Sequence, residues 1–145
     1  MPTRTAHTMW TGGLQDGSGQ VELVSSGVAT FDVSFPRRAA DDAGGITSPE
    51  ELIAAAHSSC FAMQLSSVVA AAGGTPKSFD ITEDVSLGRD PAGGFRLTGI
   101  SVTVRGEVDG LDADGFGKAA EQAKASCPVS KALTGVDITV DASLR

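Results

Sequence analysis

The stretch SPEELIAAAHSSCFAMQLSSVVAAAGG, residues 48–74, predicts a long helix over about 49–72. Ser48 is a typical N-cap, Pro49 suits the first helical position, and Glu51 completes a capping box with the serine. The glycine pair at residues 73–74 ends the helix. The helix has no polar face, and such a helix must be covered on every side.

Strands are predicted on both sides of this helix, because short segments there are β-prone and partly alternate between apolar and polar residues. The predicted strands are residues 4–13, 19–26, 29–35, 81–87, 95–108 and 136–140. Turn-forming residues lie at 16–19 and 90–94, and residues 37–45 form a polar loop.

A second helix is predicted over 113–126, with Asp112 as its cap and residues 116, 119, 120 and 123 on its inner side. Pro128 interrupts this helix but can begin a fresh helical turn. The resulting order is βββ–α–ββ–α–β. Because tight turns join neighbouring strands, we predict the α+β class, with antiparallel sheets around a central apolar helix plus a second helix.

Length and composition favour one domain over residues 1–145, since 145 residues with 41% hydrophobic content can form a real core. A small sheet and one short helix are too little to cover the long apolar helix, so we also predict a second subunit around it.

The net charge of −7 argues against a nucleic-acid or anionic-membrane binder.

The sequence also bears on location. The polar residues 1–7 lack the apolar core of a secretory signal. Residues 52–72 are about long enough to cross a bilayer, but they contain too many polar groups, which favours a buried helix over a membrane span. We therefore expect a cytoplasmic protein, in which a transient disulfide is allowed and a permanent one is disfavoured.

Cys60 and Cys127 are the only cysteines. Each is open to two interpretations: a small buried hydrophobe, which is the common fate of free cysteine, or a reactive thiol. The polar neighbours His57, Ser58 and Ser59 in the middle of an apolar helix favour a functional site at Cys60. In a two-thiol peroxidase, Cys127 would resolve a sulfenic acid formed on Cys60.

His57 precedes Cys60 by three residues and neighbours it on the helix surface. It either favours the Cys60 thiolate or is a hydrogen-bonded structural histidine. The four Cys and His residues lack the paired spacing of zinc sites, and no phosphate-binding glycine loop is present, so no metal or cofactor is predicted.

A nucleophilic thiol needs a lowered pKa, which a nearby guanidinium supplies. Arg37 and Arg38 on the polar loop are the candidates, and a carboxylate such as Glu50 would hold either one in a bidentate pose. In the alternative interpretation, both arginines are solvated loop residues, and Glu50 only complements the positive end of the helix dipole. Glu50 is about 15 Å from Cys60 along the helix, so a shared site requires a bridging side chain or the second subunit.

Two segments, TSPEELIAAAHSSCF at residues 47–61 and AKASCPVS at 123–130, resemble the OsmC/Ohr family of osmotically inducible and organic hydroperoxide resistance proteins. Ala55-Ala56-His57 resembles the OsmC branch. The resemblance implies a thiol-dependent peroxidase that favours organic hydroperoxides over hydrogen peroxide. It also implies an intertwined homodimer with two interfacial sites, no metal or other cofactor, and an external dithiol reductant, lipoyl groups in the Ohr branch.

By position in this family, Cys60 matches the cysteine that attacks the peroxide and Cys127 matches the resolving cysteine. Glu50 matches the glutamate that orients an arginine. Aligning Phe35 places Arg38 at the arginine position, with Arg37 as the alternative.

Two other functions remain open from the sequence. One is a non-enzymatic dimeric stress protein that binds an apolar ligand at its interface, with inert cysteines. The other is a thiol hydrolase or acyltransferase, which would form an acyl adduct on Cys60.

Overall fold

The computed structural model describes residues 1–145 and contains strands and helices in the order β1 to β3, α1, α2, β4, β5, α3, α4, β6. Their bounds are β1 His7–Thr11, β2 Ser18–Glu22, β3 Thr30–Val33, α1 Phe35–Arg38, α2 Pro49–Ala71, β4 Thr75–Arg89, β5 Phe95–Asp109, α3 Ala113–Ser126, α4 Pro128–Ala132 and β6 Ile138–Leu144. The α+β class is confirmed. The chain forms two compact units, residues 1–52 and 53–145, and the boundary falls inside α2. The single domain over 1–145 stays a prediction.

The first unit contains an antiparallel sheet in the order β1-β2-β3, with Thr8 opposite Val21 and Gln20 opposite Asp32. All three strands are shorter than predicted. Every residue of β1 is exposed. This sheet therefore buries little of its own apolar surface.

The predicted polar loop over 37–45 is partly wrong, because one helical turn, α1, occupies Phe35–Arg38. Pro36 lies in its first turn, where its fixed backbone angle fits a helix and its missing N–H costs nothing. Two arginines occupy the last turn, at the negative end of the helix dipole. The turn is short, so it leaves no periodic pattern in the sequence.

The second unit contains the sheet β4-β5-β6. β4 and β5 form a long antiparallel hairpin, with Val85 opposite Ile100. β6 pairs parallel to β5, with Ile138 opposite Ile100, so the prediction of purely antiparallel sheets is wrong at this pair. A parallel pair needs a long crossover connection, and α3 and α4 provide it.

The hydrophobic core of the second unit lies between α2, β5 and α3. Its fully buried members include Phe61, Leu65 and Val69 from α2, and Val102 and Val104 from β5. The inner side of α3 is confirmed, since residues 116, 119, 120 and 123 are all buried. The core therefore fixes α2 and α3, which carry or precede the two cysteines.

Both predicted ends of α2 are present. The Ser48 hydroxyl accepts a hydrogen bond from the Glu51 N–H at 3.2 Å, as predicted, but the Glu51 carboxylate accepts one from the Thr47 hydroxyl, so the reciprocal half of the predicted capping box is replaced. At the other end, Gly73 takes a positive φ of 87°, and Gly74 N–H donates to the Val69 carbonyl at 2.9 Å. This is the Schellman pattern that glycine makes possible.

Helix α2 is the one helix long and apolar enough to cross a membrane by length and composition, a test that core helices also pass. Only 28% of its most apolar window is buried within this chain. The chain alone therefore covers α2 incompletely, although Phe61, Leu65 and Val69 lie in the core.

Substituting Gly106 with alanine is expected to destabilise the second unit by about 1–3 kcal/mol, the usual cost of overpacking a core. A Cβ atom at Gly106 would lie 2.5 Å from the Phe116 ring, which cannot move away in the packed interior. Denaturant unfolding of Gly106→Ala measures this loss. The matched control is Gly99→Ala on the same strand, where an added Cβ meets nothing within 4 Å. Equal stability of the two variants would contradict the prediction.

Candidate active site

The fold brings the two cysteines together. Cys60 lies in the middle of α2 and Cys127 lies between α3 and α4, 67 positions later, yet a hydrogen bond joins their sulfur atoms at 3.1 Å. Both are free thiols; Cys127 is fully buried and Cys60 partly so. A disulfide requires about 2.05 Å, so a movement of roughly 1 Å separates this pair from a covalent bond.

Pro128 positions Cys127. A residue before proline avoids the helical region, and Cys127 accordingly has φ −60° and ψ 125°, which ends α3. Its N–H still donates to the Ala123 carbonyl at 2.8 Å. Cys127 thereby becomes the N-cap residue of α4, with its thiol beside the first N–H groups of the new helix.

The two thiols differ in acidity. Burial alone would raise the pKa of Cys127, but hydrogen bonds from the Ser130 backbone, the Cys60 thiol, the Ser130 side chain and the Val129 backbone outweigh it, and the pKa is lowered. These groups lower the pKa even though the Cys127 side chain does not form a regular capping hydrogen bond with α4. The pKa of Cys60 is raised, first by burial and then by the hydrogen bond and charge of Cys127, against a lowering contribution from the Val129 backbone.

Arg38 and Glu50 form a bidentate ion pair in the first unit. Arg38 Nε donates to the two carboxylate oxygens at 3.0 and 3.2 Å, and Nη2 donates to Oε1 at 2.7 Å. The glutamate is buried and the arginine side chain is 32% exposed. Of the two candidate arginines, Arg38 is thus the one paired with Glu50, while Arg37 is exposed and lies against Gly44.

An apolar cavity of about 480 Å³ lies beside Arg38, within the first unit. Its apolar lining includes Trp10, Leu14, Val21, Val33, Phe35 and Leu52. A cavity with apolar walls and one guanidinium suits a ligand that has a hydrocarbon body and a polar end. The structure groups no three His, Cys, Asp or Glu side chains in a way that could hold a metal ion.

His57 does not hydrogen-bond Cys60, its neighbour on the helix. Its Nδ1 lies 2.8 Å from Glu83 Oε1 on β4, and its Nε2 lies 2.6 Å from Ser130 Oγ on α4. The histidine is fully buried and the Glu83 side chain is 1% exposed. Of the two interpretations of His57, the contacts favour the hydrogen-bonded one.

Glu83 has an unusual environment. Its Oε2 is buried and has no hydrogen-bond partner, which costs about 1–3 kcal/mol. Burial raises the pKa of this carboxyl, the hydrogen bond and charge of His57 oppose the rise, and Asp84 adds to it. Sequence reasoning missed Glu83 and Ser130. The available signal was a charged residue in phase with the apolar Ile81 and Val85 of one strand.

The chain matches a family model described as OsmC-like protein over residues 41–141. It is 41% identical to Peroxiredoxin OsmC of Escherichia coli strain K12 (94% of this chain, 92% of the relative). It is 34% identical to Organic hydroperoxide resistance protein OhrA of Bacillus subtilis strain 168 (86% and 89%). The crystal structure of an organic hydroperoxide resistance protein from Elizabethkingia anophelis superposes with a TM-score of 0.80 at 27% identity (100% and 98% covered). This chain therefore belongs to the OsmC-like protein family and has its fold.

Proposed function

We propose that this protein is a cysteine-based peroxidase that reduces organic hydroperoxides, and hydrogen peroxide more weakly, in defence against oxidative stress. The observation that carries the proposal is the pair of free thiols with sulfur atoms 3.1 Å apart. The names of the relatives, a peroxiredoxin and organic hydroperoxide resistance proteins, point to the same chemistry.

In the proposed reaction the Cys60 thiolate attacks the distal oxygen of the hydroperoxide. The O–O bond breaks, Cys60 becomes a sulfenic acid, and the alkoxide takes up the proton that the Cys60 thiol had released and leaves as an alcohol. Cys127 then attacks the Cys60 sulfur, forming a disulfide and releasing water. An external dithiol, for example a dihydrolipoyl group, returns both thiols and is itself oxidised to a disulfide. The sulfur atoms carry the redox change without a metal or organic cofactor.

The roles of Arg38 and Glu50 are proposed from the family resemblance. Arg38 stabilises the Cys60 thiolate, and Glu50 fixes the guanidinium orientation through its bidentate contact. A guanidinium in this role would offset the burial that raises the pKa of Cys60.

The apolar cavity beside Arg38 supports the proposed preference for organic peroxides. Its volume of about 480 Å³ accommodates an alkyl or aryl group, whose transfer from water is favourable. Hydrogen peroxide has no such group and would gain nothing from the cavity.

We also propose that the protein works as an intertwined homodimer in the cytoplasm. The incomplete cover of α2 supports a second subunit, as do the large exposed side chains Met9, Trp10 and Met63. The two free thiols suit a reducing compartment that supplies dithiols.

Cys127→Ser is expected to consume one equivalent of cumene hydroperoxide and then lose the disulfide route of recycling. Without the second thiol, the Cys60 sulfenic acid persists and can be trapped with dimedone. Mass spectrometry after a stoichiometric dose measures this, and wild type should instead lose two hydrogens at a Cys60–Cys127 crosslink. Cumyl alcohol, which lacks the peroxide bond, is the control. Wild-type turnover by Cys127→Ser with a dithiol donor would contradict the proposed resolving role.

The same cavity favours a second candidate, a non-enzymatic protein that binds an apolar ligand. The mass measurement separates the two functions. Thiols left untouched by the hydroperoxide, combined with saturable binding of cumyl alcohol, would support the binder.

A further inference from the structure

A continuous hydrogen-bonded chain links β4, α2 and α4 in the second unit. Glu83 Oε1 contacts His57 Nδ1 at 2.8 Å, and His57 Nε2 contacts Ser130 Oγ at 2.6 Å. All three side chains are buried, so solvent does not interrupt the chain. The peroxidase reaction proposed above uses none of them.

The chemistry of these groups sets the direction of the chain. An ionised carboxylate can only accept hydrogen bonds, so the proton of a neutral His57 ring lies on Nδ1 and points at Glu83. His57 Nε2 is then an acceptor for the Ser130 hydroxyl. This is the arrangement in which a carboxylate orients a histidine base against a hydroxyl group.

The Ser130 end of this hydrogen-bonded series lies on the helix that begins directly after Cys127. Ser130 follows Cys127 by three residues in the first turn of α4. Its backbone N–H contributes a hydrogen bond that lowers the pKa of Cys127 against the effect of burial. Once a proton has reached His57, the imidazolium N–H donates to Ser130 Oγ, and the serine hydroxyl can then donate to the Cys127 thiolate, which lowers this pKa further. The serine therefore lies between a histidine base and the sulfur that would close the disulfide.

We propose that Glu83, His57 and Ser130 form a proton relay that accepts the thiol proton of Cys127 when it attacks the Cys60 sulfenic acid. This inference rests on the peroxidase function proposed above. Ser130 lies in the first turn of the helix whose N-cap is Cys127, and in the proposed relay it exchanges the proton with the reacting sulfur, while His57 and Glu83 are positioning residues that act through it.

The step is balanced. The Cys127 proton passes to Ser130 Oγ as the serine gives its own proton to His57 Nε2. The Cys127 sulfur forms the S–S bond as the S–O bond of the Cys60 sulfenic acid breaks and hydroxide leaves. The hydroxide and the proton on His57 together equal the one water released. Glu83 balances the charge of the transient imidazolium.

The buried Glu83 supports a functional over a purely structural role. A carboxylate with one oxygen left without a partner is an expensive way to fill a core position. It is instead suited to stabilise a positive charge that forms on His57 during the reaction.

The test is a rapid-quench experiment in which reduced protein meets one equivalent of cumene hydroperoxide and is mass-measured at successive times. In Ser130→Ala and His57→Gln, the Cys60 sulfenic acid should form at the wild-type rate, but disulfide closure should slow by about tenfold or more. Ser130→Thr, which keeps the hydroxyl, should restore closure. The matched control is Ser126→Ala, because Ser126 adjoins Cys127 but bonds Gln64 and the Gln122 carbonyl instead.

A second measurement does not depend on peroxidase activity. In a Cys60→Ser background, thiolate absorbance reports the acidity of Cys127, which should fall in Ser130→Ala and His57→Gln but not in Ser126→Ala. Circular dichroism identifies any variant that fails to fold, and Ser130→Ala removes only one oxygen atom.

Unchanged closure rates and unchanged Cys127 acidity in folded variants would overturn the relay. If wild type is inert to the hydroperoxide, the proposed function fails, and the acidity measurement alone decides whether the relay acts on Cys127.

Discussion

Cys60→Ser is expected to abolish peroxide consumption, with a loss of at least about a thousandfold. A serine hydroxyl has almost no anion at neutral pH, and the neighbouring His57 is hydrogen-bonded to Glu83 and Ser130 instead, so serine cannot replace a thiolate as the nucleophile. The measurement is the steady-state loss of cumene hydroperoxide in the presence of a dithiol donor.

Ser59→Ala is the matched control for this substitution. Ser59 adjoins Cys60 on α2, is exposed, and its hydroxyl donates only to the Ala56 carbonyl at 2.9 Å. It should stay near the wild-type rate. Full activity of Cys60→Ser would end the proposed mechanism and leave the apolar-ligand interpretation in its place.

Arg38→Ala is expected to lower kcat/KM by about a hundredfold or more, because an oriented charge beside a developing anion typically contributes this much. Arg38→Lys should recover little, since an ammonium group cannot reproduce the bidentate contact with Glu50. Peroxide consumption over a range of substrate concentrations gives kcat and KM separately.

The neighbouring Arg37→Ala distinguishes the two arginines of α1. Arg37 is exposed and lies against Gly44, so its removal should leave kcat/KM nearly unchanged. The reverse pattern would make Arg37 the active arginine. Because Arg38→Ala leaves Glu50 buried without its partner, thermal melts must show that the variant remains folded at the assay temperature.

The helices were predictable where local signals act alone. Ser48 and the glycine pair at 73–74 mark the ends of α2, and Asp112 and Pro128 mark α3 and the start of α4. The strands were less predictable because pairing extends them. β4 begins at Thr75, before its apolar alternation, since residues 75–80 pair with β5. The last strand was predicted at residues 136–140, but its parallel pairing with β5 was not, because the turn argument covers only strands joined by tight turns.

The candidate site was predictable to the extent that it lies in two short motifs. Cys60, Cys127 and Glu50 lie in those segments, so they could be chosen as candidate site residues without knowledge of any contact in the folded chain. Glu83 and Ser130 are different, because His57 meets them only through the folding of β4 and α4 against α2. Because these contacts join residues far apart in the sequence, no motif or residue spacing predicts them.

The sequence separation of the two sulfur atoms has a consequence for the folded state itself. A bond between Cys60 and Cys127 would close a covalent ring spanning 67 positions, which contains the β4–β5 hairpin and α3. Closing a loop of this size restricts the unfolded chain by about 4 kcal/mol. The proposed thiol–disulfide cycle would therefore alternate between a less stable and a more stable folded state, and the protein would resist unfolding and proteolysis most strongly while oxidant is abundant.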